Sequence, residues 1–298
     1  PGAKSVQFQN MPRRLKRVFT ARNSDYLMVE ADGSQLEFRV AAFLGQDRQA
    51  MADIVDQRFD AHVTSASHMF QRDYDELLDA YRAGDKAASA LRTAAKSETF
   101  KPLYGGSKGT EEQERWYTAF RERYAELYAT QESWLAEVLA SSDGALRTDW
   151  GMTFYWDYTL ESRQNGRTTI ALDRATRRPI KQSVFNYPVQ SLATAEIIPI
   201  ALTALFRRCK RRGLRVLFVN TVHDSVVCEV HKEDMEAFIE EVKPAFTTDV
   251  FKYLARYYKL AFNVPLGCEV KWGTHWGEGE EVKYDAIPAS RSPDRARG

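Results

Sequence analysis

Short apolar runs alternate with longer amphipathic stretches along this chain. Residues 26–31 (YLMVEA) form a compact apolar run that stops at Asp32, the pattern of a buried strand. From Gln35 to about Phe70 the apolar positions recur at helical spacing, and residues 73–104 continue that way with a break near Gly84. Residues 110–113 (TEEQ) match a capping box, in which Thr and Gln side chains satisfy orphan amides, and predict a helix running to about Ala140. Its stripe of Trp116, Phe120, Tyr124, Leu127 and Tyr128 reads as core or interdomain packing before base stacking. Aromatic and polar residues alternate over 149–173 around Asn165-Gly166, a hairpin signal. Helical spacing returns over 189–210. Residues 214–219 (LRVLFV) and 226–230 (VVCEV) read as strands of a hairpin with His223-Asp224 near its tip. Residues 233–258 predict one amphipathic helix, or two broken at Pro244, and 266–270 another strand. Strands separated by helical blocks predict an α+β domain with one large helical insertion between about Gly45 and Asp149. Residues 288–298 lack apolar anchors and read as a disordered tail.

Composition adds bounds to this picture. A chain of 298 residues has ample length to bury a core, and 44% hydrophobic with 28% charged residues is ordinary for a soluble enzyme. The absence of a run of about 18 apolar residues predicts no membrane span. The first 14 residues are polar and basic, without the apolar core of a signal peptide. Cys209, Cys228 and Cys268 are too widely spaced for a disulfide framework or zinc pattern, which fits a reducing compartment. With 42 Lys+Arg against 41 Asp+Glu, a polyanionic partner must be read from local clusters. One such cluster is Arg207, Arg208, Lys210, Arg211, Arg212 and Arg215. It suits either a solvated helix C-terminus or contact with DNA phosphates or an acidic partner chain.

Three constellations carry candidate chemistry. Asp32-Gly33-Ser34-Gln35-Leu36-Glu37 places an acid where a strand gives way to a helix, as a metal ligand or as a helix cap. Val222-His223-Asp224-Ser225 places a second acid between two apolar runs; alone it reads as a hairpin turn. Taken together, two carboxylates at strand ends suit hard divalent cations, and two cations about 4 Å apart stabilise the attacking and leaving oxygens of a phosphoryl transfer. In the third, Arg92 and Lys96 stand four apart, hence about 6 Å apart on one helix face, a spacing that suits neighbouring phosphates of a triphosphate. Phe100 and Tyr104 continue that face, although a solvated helix with two cations has the same pattern.

In order, these segments resemble motifs A, B and C of family A DNA polymerases, the bacterial polymerase I type. Motif A (D-Y-S-Q-I-E-x-R) is met by Asp32-Gly33-Ser34-Gln35-Leu36-Glu37-Phe38-Arg39. Motif B (R-x3-K-x3-F/Y-x3-Y-G) is met at Arg92, Lys96, Phe100, Tyr104 and Gly105, and motif C (V-H-D-E) at Val222-His223-Asp224-Ser225. Gln9-Asn10-Met11-Pro12, Asp60-Ala61-His62 and Asn186-Tyr187-Pro188-Val189-Gln190 look like three further family stretches, so the likeness covers roughly residues 6–284. The wording Phe100-Lys-Pro-Leu-Tyr-Gly-Gly is nearer phage-type members.

The resemblance implies a right-hand polymerase palm, an antiparallel sheet with helices, carrying an inserted helical fingers subdomain. On that reading residues 1–44 and 150–287 are palm and 45–149 are fingers. It implies a DNA-directed DNA polymerase in the cytoplasm of a bacterial or phage-infected cell, with primer-template DNA and dNTPs as partners and no membrane. Asp32 and Asp224, with the Gly33 carbonyl, would hold two Mg²⁺ ions. Arg92 and Lys96 would clamp the triphosphate, assisted by His62 and Gln35, with Lys96 also the proton donor to pyrophosphate. Glu37, bonded to Tyr104, would reject a 2′-hydroxyl. Phe100 would pack on the sugar and disfavour dideoxynucleotides, and Tyr104 would occupy the template stacking position. Arg14, Asn186, Gln190 and His223 would contact the primer-template.

Some positions depart from the family pattern. Ser225 replaces the Glu of motif C, which predicts weaker metal support. Gly33 replaces a Tyr. Lys101-Pro102 replaces a Gly-x pair and predicts a bent or interrupted helix after Phe100, because proline in a helix interior costs about 3 kcal/mol, with Lys101 adding a phosphate or template contact. Only 31 residues precede Asp32. The expectation is therefore palm and fingers with thumb and exonuclease absent, as a truncated or split polymerase whose grip comes from a separate chain. The alternative is a non-catalytic, DNA-binding assembly subunit; intact Asp32, Asp224, Arg92 and Lys96 favour the enzyme. Glu37 and Phe100 speak against an RNA polymerase, and the lack of Y-x-D-D against a reverse transcriptase.

Overall fold

The computed structural model describes residues 12–163, 168–277 and 279–285. The chain forms two compact units, one of residues 1–37 with 191–298 and the other of residues 38–190. These units divide the chain at 37/38 and 190/191. The predicted disordered tail lies outside the described residues.

The first unit is built on an antiparallel sheet. Strand β1 is Tyr26–Gly33; in the other unit β2 is Ala145–Arg147, β3 Thr153–Tyr155, β4 Tyr158–Arg163 and β5 Thr168–Asp173. Strands β6 (Val216–Val222), β7 (Ser225–His231), β8 (Gly267–Gly273) and β9 (Glu280–Asp285) complete the first unit, whose order is β6-β7-β1-β8-β9. The apolar runs become the central strands: β7 is buried at Ser225, Val226, Val227, Cys228 and Val230, and β1 at Met28, Val29, Ala31 and Gly33. Helices Ile198–Arg212 and Met235–Phe246 pack on each other and on this sheet. Their buried residues follow the helical period, Ile198, Ala201, Leu205 and Cys209 in one and Met235, Phe238, Val242 and Ala245 in the other. The predicted break at Pro244 falls at Thr247 instead, after which Thr248–Tyr253 resumes the helix.

The second unit is mainly helical. The helical stretch expected from Gln35 to about Phe70 is made of three helices: Leu36–Gly45, Arg48–Val55 and Ala61–Phe70. Aspartates divide it, because a carboxylate that accepts a backbone N–H opens a new helix. Asp47 accepts from Ala50 (2.8 Å), Asp60 from His62 and Val63 (both 2.9 Å), Asp73 from Glu76 and Asp85 from Ala88. The capping box at Thr110 and Gln113 is formed, but the helix it opens stops at Arg123 and restarts as Ala125–Ala140. Trp116, Phe120, Tyr124 and Leu127 of the aromatic stripe are buried in that core. Strands β4 and β5 pair as the hairpin expected around Asn165-Gly166, whose turn lies outside the described residues.

The expectation that no segment could span a membrane needs correction. Helical stretch Lys181–Arg212 contains a window long and apolar enough to do so, because buried helix residues and lipid-facing ones have the same apolar character. Half of that window is buried within the protein, as in the core helix of a folded domain.

Candidate active site

The fold of the first unit brings Asp32 and Asp224 together. Asp32 is the last residue but one of β1, directly across from Ser225 on β7. Asp224 sits one residue before Ser225, in a two-residue turn that closes with Val222 opposite Ser225. The turn is tight because His223 takes the left-handed conformation, with φ of +53°. The Gly33 N–H donates to the Asp224 carbonyl at 3.0 Å, so the two backbones are fastened beside the two acids. A Cβ at Gly33 would meet Leu36 at 3.4 Å and the Asp224 carbonyl at 3.6 Å, ordinary contacts, so space alone does not demand glycine there.

Two carboxylates this close repel unless something compensates them. Burial, then the Asp224 charge, then Glu30 push the Asp32 carboxyl up to about 8. Burial also raises Asp224. The two side chains share a hydrogen bond, yet Oδ1 of Asp32 is buried without any partner. An orphaned, electron-rich oxygen on one of two neighbouring carboxylates is a cation's donor set as much as a proton's. Among the described residues no group of three or more His, Cys, Asp or Glu forms a metal cluster, so the pair, with a backbone carbonyl, is the whole candidate set.

Sequence reasoning missed Glu30 at this site. It lies two residues before Asp32 on the same strand face, and its charge is felt by both aspartates. Its Oε1 accepts the Ser225 hydroxyl at 3.1 Å and faces Lys16 Nζ at 3.7 Å. The position that lacks the motif C carboxylate thus touches a carboxylate supplied by β1. The signal was the period of two along β1, counted back from Asp32.

The same unit carries Gln35, exposed at φ +48°, half-buried Glu37, exposed Arg14, and exposed His223 beside Asp224. Gln9, Asn10 and Met11 lie outside the described residues.

The second unit gathers another set. Asp60 caps helix Ala61–Phe70 and also grips Arg92, Nε at 3.0 Å and Nη2 at 3.0 Å, while Tyr81 stacks under the guanidinium at 4.7 Å. Arg92 is therefore held in one orientation. His62 pairs through Nδ1 with Thr99 Oγ1 at 2.9 Å. Burial, then the Arg92 charge, lower its pKa to about 4, and Lys96 adds to the effect, so the ring is neutral at pH 7. Phe100 packs between Phe38 and His62, with ring centroids 5.6 and 6.1 Å away.

The helix carrying Arg92 does not continue to Tyr104. It ends at Ala95, with Lys96 exposed as its cap, and residues 97–101 form turns leading into a 3₁₀ turn at Pro102–Tyr104. The interruption therefore comes before Phe100, not after it. Pro102 lacks an N–H and its ring would clash with the carbonyl of Glu98 in an α-helix. The following amides instead bond three residues back, Tyr104 to Lys101 and Gly105 to Pro102, until Gly105 exits at φ +78°. Phe100 and Tyr104 are thus off the predicted helix face. Lys101, expected on phosphate or template, is paired with buried Glu98 at 2.6 Å, and Glu98 also accepts the Tyr117 hydroxyl.

Tyr104 and Asn186 meet at a cavity of about 500 Å³, which Lys101, Lys108, Gln182 and Tyr187 also line. Oδ1 of Asn186 is buried there without a partner. Gln190 is exposed at the end of helix Lys181–Gln190.

Comparison with known proteins gives one consistent result. The family model for DNA polymerase family A matches residues 5–278. The thermostable DNA polymerase I of Thermus filiformis is 30% identical over 92% of this chain, and that of Thermus aquaticus 31% identical over 92%. The chain spans about 30% of the length of these curated relatives. Among solved structures, the POL domain of Pol1 from M. smegmatis, in complex with DNA primer-template and dNTP, superposes with a TM-score of 0.67. That match is 23% identical and covers 91% of this chain and 44% of that one, a likeness of fold.

Proposed function

Because this chain belongs to DNA polymerase family A, we propose that it carries out template-directed DNA synthesis, transferring a nucleotide from a dNTP to a primer 3′-hydroxyl. The observation that carries this reading is the convergence of Asp32 and Asp224, with a buried oxygen of Asp32 left without a partner. Asp32, Asp224 and the Gly33 carbonyl are the residues that would hold Mg²⁺, two ions in the family's manner. When bound, such ions supply Lewis-acid stabilisation of charge on the reacting oxygens.

The chain's own residues do the positioning. Arg92, fixed by Asp60 and Tyr81, presents a guanidinium to the triphosphate without first having to be ordered. Lys96, exposed one turn later, provides a second cation and a proton for the departing pyrophosphate. His62, neutral at pH 7, and Gln35 offer hydrogen bonds to phosphate oxygens. Phe100, held by Phe38 and His62, presents a ring to the sugar, and Glu37 excludes a 2′-hydroxyl. Tyr104 and Asn186, at their shared cavity, serve the template side. Arg14, Gln190 and His223, all exposed, reach the primer-template.

Primer extension with Mg²⁺ and all four dNTPs tests the proposal. Extension is expected, and Asp224→Asn should reduce it by at least about a thousandfold while the fold is kept. Extension at the wild-type rate in that variant would refute the assignment.

A further inference from the structure

The arginines of the basic run at the end of helix Ile198–Arg212 separate into two sets. Arg208 is held by Asp249 at 2.5 Å and Glu241 at 2.8 Å, Arg212 by Glu240 and Glu241, and Arg215 by Glu233 and Asp234. Those three fasten the helix and the strand after it to their neighbours. Arg207 and Arg211 are exposed and make no ion pair among the described residues. One helical turn apart, they line a cavity of about 450 Å³ together with Thr203, Glu196, Tyr253 and Tyr258. The acids at this cavity are already engaged, Asp249 by Arg208 and Glu196 by the Tyr258 hydroxyl.

Beside the free arginines stands an aromatic pair. Tyr253 and Tyr257 have ring centroids 4.5 Å apart and are 38% and 57% exposed. Arg256 sits over Tyr257 at 5.4 Å. Rings left in water beside unpaired guanidinium groups are the two halves of a single-strand platform. Cations about 6 Å apart track successive phosphates, and exposed rings take the bases by stacking. A duplex would leave the rings idle because its bases are already stacked. An acidic peptide would use the arginines alone.

We propose that this face holds a single strand of nucleic acid, with phosphates on Arg207 and Arg211 and bases on Tyr253 and Tyr257. The contact is separate from the site assigned to nucleotide transfer and does not depend on that assignment.

Fluorescence anisotropy with labelled oligo-dT, in EDTA and with excess unlabelled primer-template duplex, tests it on the full chain. Arg207→Ala with Arg211→Ala should weaken binding about tenfold or more, and should lower the slope of log affinity against log salt by about 1.4, two phosphates' worth. Tyr257→Ala should weaken it about tenfold and Tyr257→Phe should keep it, since stacking needs the ring and not the hydroxyl. Oligonucleotides carrying 5-iododeoxyuridine should photocross-link to Tyr253 or Tyr257. Because binding is read in EDTA with excess duplex present, its outcome is independent of whether the chain extends a primer, which separates this result from the fate of the polymerase assignment. Should the double arginine variant fail to fold, the Tyr257 pair of variants decides. The proposal is overturned by unchanged binding in the arginine variant, by equal affinity of Tyr257→Ala and Tyr257→Phe, or by cross-links mapping elsewhere. It is also overturned if polyglutamate displaces oligo-dT and depends on the arginines alone, which would give the face to an acidic protein.

Discussion

Asp32 is a group that the folded protein holds at a cost. Its raised pKa means that it keeps a proton, between about pH 4 and about pH 8, that the unfolded chain has already released. Folding then takes up a proton in that window, so the contribution of Asp32 to stability is fully present below about pH 4 and is lost as pH rises toward about 8. We expect the metal-free protein, melted in EDTA, to lose a few degrees between about pH 5 and about pH 8, and Asp32→Asn to flatten that slope. An identical slope in the variant would show that other groups carry it. At the same scale, Glu37→Ala should admit ribonucleotides in primer extension, by about tenfold or more relative to dNTPs; continued strict rejection would remove Glu37 from the sugar gate. The aspartates were legible in the sequence because each follows an apolar run. Their mutual electrostatics was not, since it depends on the burial that only pairing of β1 with β7 produces.

Among the elements, aspartates have more than one task. Asp47 caps helix Arg48–Val55 and also accepts the Leu127 N–H at 2.9 Å, an orphan donor in the first turn of helix Ala125–Ala140. Asp53, 5% exposed, accepts from Arg123 at 2.6 and 2.8 Å, from the Tyr124 hydroxyl at 2.8 Å and from Gln49 at 2.8 Å. Gly45 lies against the Leu127 backbone, where a Cβ would come within 2.7 Å. These contacts explain why the helix from Thr110 breaks at Tyr124. The break, at φ −109° and ψ 55°, turns that hydroxyl onto Asp53 and lets the next helix start on Asp47. Asp53→Ala should therefore destabilise the protein by about 3 kcal/mol, the low end for a broken buried pair because the Arg123 side chain is 35% exposed. Chemical denaturation would measure it, and a loss below about 1 kcal/mol would mean that the network is slack. Caps and boxes are local signals and can be read from sequence. The break at Tyr124 answers to acids 71 and 80 residues from their partners and leaves no local trace.

On the scale of the molecule, each compact unit has a core of its own. Val138, Leu146, Trp156, Ile180, Val184 and Phe185 anchor one, and Met28, Val222, Val227 and Trp276 contribute to the other. Calorimetry should resolve two overlapping transitions, with Asp53→Ala moving one and Asp32→Asn the other; both variants moving a single common transition would show one cooperative unit. The residues assigned to the reaction are divided between the units, with Asp32, Asp224 and Glu37 in one and Arg92, Lys96 and Phe100 in the other. The sequence by itself determined most kinds of element and the family, and it singled out the two acids and two cations proposed for the site. Those follow from local periodicity and from short strings that chemistry constrains. Only the tertiary structure decided which acids meet, that Glu30 joins them through Ser225, that Asp60 orients Arg92, and which arginines of the basic run stay free. Each of those depends on groups far apart in the chain, and proximity of that kind arises only when strands register and helices pack.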